Sequence, residues 1–109
     1  MSAITTHVLD AVLGKPAAGI QVHLERGDNG VWTPIGSGQT DADGRCRGLA
    51  PEGVAGSYRL TFFISAYLTE RGRSSLYQEI AISFVCDGEA DYHLPVLLSD
   101  NSYTTYRGS

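Results

Sequence analysis

Hydrophobic and polar residues alternate along most of this chain, and a two-residue period is typical of β-strands that bury one face. The first alternating segment spans residues 4–12. Thr6, Val8 and Val12 share one of its faces. A glycine, a lysine and a proline at residues 14–16 then break the pattern. We therefore expect the chain to begin with a strand followed by a turn.

Two further segments predict a second and a third strand. Ile20, Val22 and Leu24 alternate with polar residues, which indicates a half-buried strand. This strand should end at the glycine-containing turn of residues 27–30. Residues 31–40 form the third segment, and the proline and glycines within it suit a strand at the edge of a sheet.

The second half of the chain predicts a central strand and a further strand, which flank a helical turn. Residues 58–65 and 76–86 both alternate apolar with polar positions. Between them, residues 66–70 fit one or two helical turns, which Gly72 would end.

The pattern as a whole predicts an all-β fold, either a sandwich or a barrel. Residues 90–98 and 102–107 add two extended segments, which brings the total to seven or eight short strands. Chain ends are usually disordered unless something holds them in place. A strand ending at Tyr106 and Arg107 would hold this one and leave Gly108 free to turn inward.

Length, composition and charge narrow the class of protein. At 109 residues the chain is expected to be one domain, residues 1–109, and its 42% hydrophobic and 18% charged residues are typical of a globular fold. The formal net charge is −4 and the basic residues are scattered, which gives no basic patch for a phosphate backbone or an anionic lipid. There is also no run of about 20 apolar residues. We expect neither nucleic acid nor a membrane as a partner.

The cysteines and the first residues say little about chemistry. Cys46 and Cys86 have neither a CxxC nor a Cys/His spacing, so a metal site is disfavoured and a single disulfide is left open. Residues 1–7 show no basic and apolar leader. Unless a leader has been removed, we expect a cytoplasmic protein.

Two histidines are candidates for chemistry. His7 and His93 each lie in the middle of a predicted strand, where a single histidine more often hydrogen-bonds a neighbour than catalyses a reaction. Their significance depends on whether the two side chains meet. The third histidine, His23, is expected to face solvent and is assigned no role.

A turn and two arginines lie between these histidines. Residues 41–44 begin like a calcium loop but lack the later ligands, so a hairpin turn is the better interpretation. Arg45 and Arg47 follow on the same face, and periodicity does not choose between them. The sequence has no nucleophile elbow, zinc-protease motif or phosphate loop. Its histidine, arginine, tyrosine and serine side chains suit acid–base work on water, with no metal or organic cofactor required.

Five segments taken together carry a family resemblance. They are Thr-His-Val-Leu-Asp at residues 6–10, Gly-Lys-Pro-Ala at 14–17, Thr-Asp-Ala-Asp-Gly-Arg at 40–45, Tyr-His-Leu-Pro-Val-Leu-Leu-Ser at 92–99 and Tyr-Thr-Thr-Tyr-Arg-Gly-Ser at 103–109. In order and spacing they resemble the 5-hydroxyisourate hydrolases, the transthyretin-like enzymes of urate degradation. The resemblance covers nearly the whole chain. Its final Tyr-Arg-Gly-Ser is specific, because the hormone carrier transthyretin lacks it.

The resemblance implies a fold, an assembly and a site. It implies a two-sheet β-sandwich with one short helix, and a homotetramer whose active sites lie where subunits meet. It assigns the catalytic roles to His7, Arg45 and His93, and so favours Arg45 over Arg47. It assigns substrate binding to the tail, namely Tyr106, Arg107, Gly108 and Ser109. The implied reaction opens the small-molecule substrate 5-hydroxyisourate to 2-oxo-4-hydroxy-4-carboxy-5-ureidoimidazoline.

The implied site suggests a mechanism. A histidine beside a guanidinium should have a pKa below the usual value of ~6.5, so that it is a neutral base at physiological pH. We expect one of His7 and His93 to activate water and the other to act as an acid or to position the substrate; which is the base stays open. Arg45 would stabilise the oxyanion.

One segment of the chain departs from the family sequence. Where the family commonly has Phe-Tyr-Pro-Glu, this chain has Leu-Tyr-Gln-Glu at residues 76–79, which predicts a change of packing or interface at the start of the strand predicted for residues 76–86.

Two other functions are alternatives to the hydrolase. The second interpretation of the chain is a transthyretin-like carrier that holds a ligand without converting it. The third, a structural or adhesive sandwich, would leave the tail without a role.

Overall fold

Nine strands and one short helix make up the part of the chain that the structure, a computed structural model, describes: residues 2–53, 55–88 and 91–108. The elements are, in order, β1 (Ser2–Asp10), β2 (Lys15–Pro16), β3 (Gln21–Asp28), β4 (Val31–Gln39), β5 (Arg45–Gly53), β6 (Gly56–Phe63), α1 (Ile64–Glu70), β7 (Ile80–Cys86), β8 (Tyr92–Leu98) and β9 (Tyr103–Thr105). The prediction of an all-β fold with one short helix is confirmed. The strands outnumber the predicted seven or eight, and one of them, β2, has only two residues.

The strands form two sheets. In the first sheet the order is β2-β1-β8-β9, with β5 also paired to β1. In the second sheet the order is β4-β3-β6-β7, and every pairing is antiparallel. Within the first sheet β1 and β8 run parallel, although they lie at opposite ends of the sequence. This long-range pairing decides which residues meet on the outer face of the first sheet.

The core lies between the two sheets and is built from the predicted alternating faces. Val8, Val22, Leu24, Leu60 and Phe62 are completely buried. Burying a side chain of this size stabilises the fold by about 1.5–3 kcal/mol relative to leaving it exposed. The faces predicted for the second and fourth segments are therefore confirmed, and in the first segment Thr6 and Val8 are buried as predicted.

Several predicted boundaries are wrong. Val12 is 58% exposed because β1 ends at Asp10, whose buried carboxylate accepts hydrogen bonds from the amides of Val12 and Leu13. The helix begins at Ile64, two residues before the predicted start at residue 66, and Ile64 itself is buried.

The segment at residues 76–79 lies before β7 and not within it. Leu76 is 75% exposed, while the ring of Tyr77 packs edge-on against the ring of Tyr103, with centroids 5.5 Å apart. The departure from the family sequence thus falls in an exposed connection that borders β9.

The buried carboxylate of Asp10, at the end of β1, is the centre of a hydrogen-bond network. Its carboxylate accepts hydrogen bonds from the hydroxyl of Tyr67 at 2.8 Å and from the guanidinium of Arg73, which also pairs with Asp100 at 2.7 Å. Burial by itself would raise the pKa of Asp10, but hydrogen bonds from Arg73, Tyr67 and the Leu13 amide lower it to about 2. The end of β1 is thereby tied to α1 and to the turn between β8 and β9.

Two further observations concern the cysteines and the length of the helix. Cys46 and Cys86 are both buried and free, so the disulfide that the sequence left open does not form. No helix within the described ranges is long and apolar enough to cross a membrane.

Candidate active site

The parallel pairing of β1 with β8 brings the two candidate histidines together. Thr5 lies opposite His93 in the register, and His7 lies opposite Pro95. Residues two apart on a strand share a face, so the side chains of His7 and His93 both project from the outer face of the first sheet. Their ring centroids are 6.4 Å apart. The condition that gave these residues significance, that the two side chains meet, is fulfilled.

Arg45 reaches the same place from β5. It is the first residue of that strand and lies opposite His7 in the register. The preceding turn fixes its position, because the carboxylate of Asp41 accepts hydrogen bonds from the amides of Asp43 and Arg45. This turn is not the predicted hairpin, since β4 and β5 belong to different sheets.

Gly44 is required for that turn. Its φ is +78°, and a Cβ at this position would lie 2.3 Å from the carbonyl oxygen of Val8. The carbonyl of Gly44 in turn accepts a hydrogen bond from the Val8 amide at 2.7 Å. The turn is therefore pressed directly onto β1, which sets Arg45 beside His7.

The hydrogen bond of His7 fixes its tautomer. Its Nε2 lies 2.8 Å from the backbone carbonyl oxygen of Asp43. A carbonyl oxygen can only accept, so Nε2 carries the proton and donates it. In the neutral ring of His7 the free lone pair is then on Nδ1.

His93 is held from the opposite side of its ring. Its Nδ1 lies 2.8 Å from the hydroxyl oxygen of Thr5. Partial burial, followed by the charges of Arg45 and of His7, lowers the pKa of His93 below its usual 6.5. The predicted direction is confirmed for this histidine. The predicted cause is only part of it, because burial contributes more than the guanidinium.

The tail lies against β8, but in a different way from the prediction. Strand β9 ends at Thr105, before Tyr106 and Arg107. Gly108 is not free, because its amide donates a hydrogen bond to the carbonyl oxygen of His93 at 2.7 Å. The guanidinium of Arg107 stacks over the ring of Tyr92 at 4.3 Å.

A depression of about 730 Å³ opens where these groups meet. It is lined by Thr5, Arg45, Asp91, His93, Arg107 and Gly108. Two guanidiniums and a neutral imidazole on one polar surface can bind an oxygen-rich small molecule and stabilise negative charge that develops on it.

The structure therefore brings together most of the residues predicted for the site. His7 stands beside the depression, 6.4 Å from His93 between ring centroids. Tyr106 is 54% exposed and lines a different, more apolar hollow with Val85 and Leu94. Ser109 lies outside the described residues.

Sequence reasoning missed two residues of the depression, Thr5 and Asp91. Thr5 precedes His7 by two positions and Asp91 precedes His93 by two, so each shares a face with a candidate histidine. The two-residue period of the strands could have found both. Within the described ranges, no three His, Cys, Asp or Glu side chains cluster so as to hold a metal ion.

A second groove lies on the outer face of the other sheet, with a volume of about 580 Å³. Two of its charged groups pair with each other: Arg59 lies 2.8 Å from Glu25 and stacks over Trp32 at 4.4 Å. His23 is exposed as predicted, and its ring packs edge-on against Phe63. The first sheet therefore carries the better candidate site.

Known proteins resemble this chain over almost its whole length. The model of the HIUase/Transthyretin family matches residues 4–108. The chain is 42% identical to a 5-hydroxyisourate hydrolase of Mus musculus, over 99% of this chain and 96% of that protein.

Two solved structures show the same fold. A 5-hydroxyisourate hydrolase of Klebsiella pneumoniae superposes with a TM-score of 0.89 at 36% identity, with both chains fully covered. A transthyretin of Sparus aurata superposes with a TM-score of 0.90 at 34% identity, over 96% of this chain and 95% of that one. On the strength of the full-length family match and of these relatives, the chain belongs to the HIUase/Transthyretin family.

Proposed function

We propose that this protein is a hydrolase that opens 5-hydroxyisourate to 2-oxo-4-hydroxy-4-carboxy-5-ureidoimidazoline. The observation that carries the proposal is the meeting of His7, Arg45, His93 and the backbone of Gly108 at one polar depression. Because the family contains both hydrolases and a carrier, the fold does not decide the function and the chemistry of the site has to do so.

His93 is assigned the role of general base. A lowered pKa keeps its imidazole neutral at physiological pH, and it lines the depression directly. It takes a proton from a water molecule whose oxygen forms a bond to the ring carbonyl carbon of the substrate. Arg45 donates hydrogen bonds to the oxyanion that results.

Collapse of this intermediate breaks the ring C–N bond. The ring nitrogen is the leaving group and takes up a proton, while the carbonyl carbon becomes a carboxylic acid that gives its own proton to the solvent. His7 is assigned to deliver the proton to the ring nitrogen, with Nδ1 as its site of protonation because Nε2 is held by Asp43. One water molecule is consumed and no electrons are transferred.

The rate enhancements expected from these groups are large enough for such a reaction. A positioned acid or base contributes roughly 10²–10⁴-fold in rate, and a donor to the oxyanion roughly 10²–10³-fold. The polar ring of the substrate would be held by Arg107, the tail backbone at Gly108 and, beyond the described residues, Ser109.

The single domain of residues 1–109 is proposed to form a homotetramer with sites at subunit interfaces. Apolar side chains are exposed near two open strand edges: Val85 is 72% exposed on β7, and Tyr103 is 37% exposed on β9. Exposed apolar edges of this kind commonly mark contact surfaces. Tyr106, which does not line the depression of its own chain, would contribute in the assembly.

A carrier function, the alternative drawn from the likeness to transthyretin, is less well supported. A carrier of an apolar ligand gains nothing from a neutral imidazole and two guanidiniums on the binding surface. The tail contact of Gly108 with His93 would also have no purpose in such a protein.

The proposed reaction is tested by following the product. Freshly generated 5-hydroxyisourate carrying ¹³C is mixed with the protein, and ¹³C NMR is recorded against a sample without protein. The proposal predicts that the carboxylate signal of the ring-opened product appears much earlier with protein than without it. Slow spontaneous decay in both samples would favour the carrier.

A further inference from the structure

We propose that Thr5 is a positioning residue for the reaction, holding His93 in the tautomer whose Nε2 carries the free lone pair. The inference rests on the proposed function, in which His93 is the base. It adds a residue that neither the sequence patterns nor the family resemblance singled out.

The fold sets Thr5 and His93 directly against each other. They are partners in the parallel register of β1 and β8, so their side chains leave the sheet side by side on the same face. The hydroxyl oxygen of Thr5 lies 2.8 Å from Nδ1 of His93. Threonine is branched at Cβ and its χ1 is stiff, so the hydroxyl is presented with little freedom. Both residues line the depression.

The chemistry then depends on which partner gives the proton. A neutral imidazole has one N–H, and a hydroxyl can either donate or accept. If the hydroxyl donated to Nδ1, the ring proton would sit on Nε2, and Nε2 could not take a proton from water. A base at Nε2 therefore requires that Nδ1–H donates to Thr5.

This arrangement also suits the charged state of the ring. After His93 has taken a proton at Nε2, Nδ1 still donates to the same hydroxyl, so no side chain has to rearrange during the step. Thr5 adds no charge of its own. The other groups around the ring are charged or titratable: Arg45 on β5, His7 on β1, Asp91 before β8 and Arg107 after β9.

The two histidines are thus held through opposite nitrogens. Asp43 holds His7 through Nε2, while Thr5 holds His93 through Nδ1. The free lone pair is therefore on Nδ1 in His7 and, when Nδ1–H of His93 donates to Thr5, on Nε2 in His93. With His93 as the proposed base, Thr5 has a role beyond the stability of the sheet.

The experiment combines ¹⁵N NMR of the histidine side chains with steady-state kinetics on the full chain. Above the pKa of His93, the wild-type protein should show a protonated Nδ1 and an unprotonated Nε2. Thr5→Val has nearly the same shape but cannot accept, so its His93 should become a mixture of tautomers. Its kcat should fall about tenfold or more, within the range that a positioned base contributes, with KM changed less than about twofold. Thr5→Ser should restore both the tautomer and kcat to within about threefold of wild type.

Two results would overturn the inference. One is a wild-type spectrum with the proton of neutral His93 on Nε2, which needs no variant and is independent of how Thr5→Val folds. The other is a folded Thr5→Val protein with wild-type kcat and an unchanged acid limb of the pH–rate profile. A wild-type protein that does not accelerate the decay of 5-hydroxyisourate would instead contradict the proposed function, and the tautomer measurement would separate the two failures.

Discussion

The backbone amide of Gly108 donates a hydrogen bond to the carbonyl oxygen of His93, at 2.7 Å, so the tail of the chain is fastened to the residue assigned as the base. A side chain at residue 108 would come 2.8 Å from Cδ2 of His93 and 3.0 Å from Cγ of Pro95. Glycine is needed here for close approach, because the backbone lies directly on the ring.

Gly108→Ala is expected to lower kcat/KM by about tenfold or more, because the added methyl group must push the tail or the His93 ring out of position. The melting temperature should change little, since the residue lies outside the buried core. Turnover measured together with thermal unfolding checks this.

The matched control is Gly30→Ala, at a φ of +80° with no atom within 4 Å of the added Cβ. It should cost about 1 kcal/mol of stability through backbone strain and leave turnover intact. Equal loss of turnover in both variants would show that general destabilisation, and not the tail contact, is responsible.

The pH dependence should follow the lowered pKa of His93. The base is active when neutral, so kcat/KM should rise with pH through a pKa below 6.5. Because the Arg45 charge contributes to the shift, Arg45→Gln should move the pKa of His93 upward in an NMR titration. An acid limb above pH 6.5, or a His93 pKa that does not respond to loss of Arg45, would contradict this account.

Asp10→Asn should destabilise the fold by about 3 kcal/mol, because it leaves the partly buried guanidinium of Arg73 without its buried carboxylate. Urea unfolding measures the change. Glu70→Gln is a matched control, since Glu70 approaches Arg71 only at 3.9 Å and is largely exposed, and it should change stability by less than about 0.5 kcal/mol.

Acid should remove the same contribution from the wild-type protein. The pKa of Asp10 is about 2 in the folded state, against 3.8 ordinarily. Because folding depresses this pKa, the ionised carboxylate of Asp10 stabilises the folded state above pH 4. This stabilisation, about 2 kcal/mol, is lost as the pH falls from 4 through 2. The loss should be absent from Asp10→Asn, and a wild-type and variant pair with the same acid profile would contradict the assignment.

The proposed tetramer predicts a particle of about 47 kDa in light scattering, four times the chain mass of 11.7 kDa. Val85→Lys should reduce that mass, since a lysine on an exposed edge strand prevents edge pairing. Val31→Lys is the control, because Val31 is 63% exposed on β4, at the other edge of the same sheet. A monomeric wild type, or equal effects of both lysines, would speak against the proposed interface.

Periodicity alone predicted the core faces well but failed where a single interaction ends a strand. Thr6 and Val8 are buried as their spacing indicates, whereas Val12 is not, since the buried Asp10 ends β1 first. That carboxylate is stabilised by Arg73, 63 residues further on, and no local pattern reports such a partner.

The site was predictable in its residue types and not in its geometry. Mid-strand positions marked His7 and His93, but only the parallel pairing of β1 with β8 shows that they meet. The choice of Arg45 over Arg47 came from resemblance, and the structure gives the physical reason: the turn held by Asp41 sets Arg45 at the rim of the depression.

The most direct test of the central claim is the ultraviolet decay of 5-hydroxyisourate, generated freshly from urate, with wild-type protein, Arg45→Ala and Arg47→Ala. We expect rapid decay with the wild type, a loss of roughly 10²–10³-fold with Arg45→Ala and little change with Arg47→Ala, because Arg45 lines the depression and Arg47 does not. Decay at the spontaneous rate with a correctly folded and assembled wild type, or equal activity in all three proteins, would contradict it.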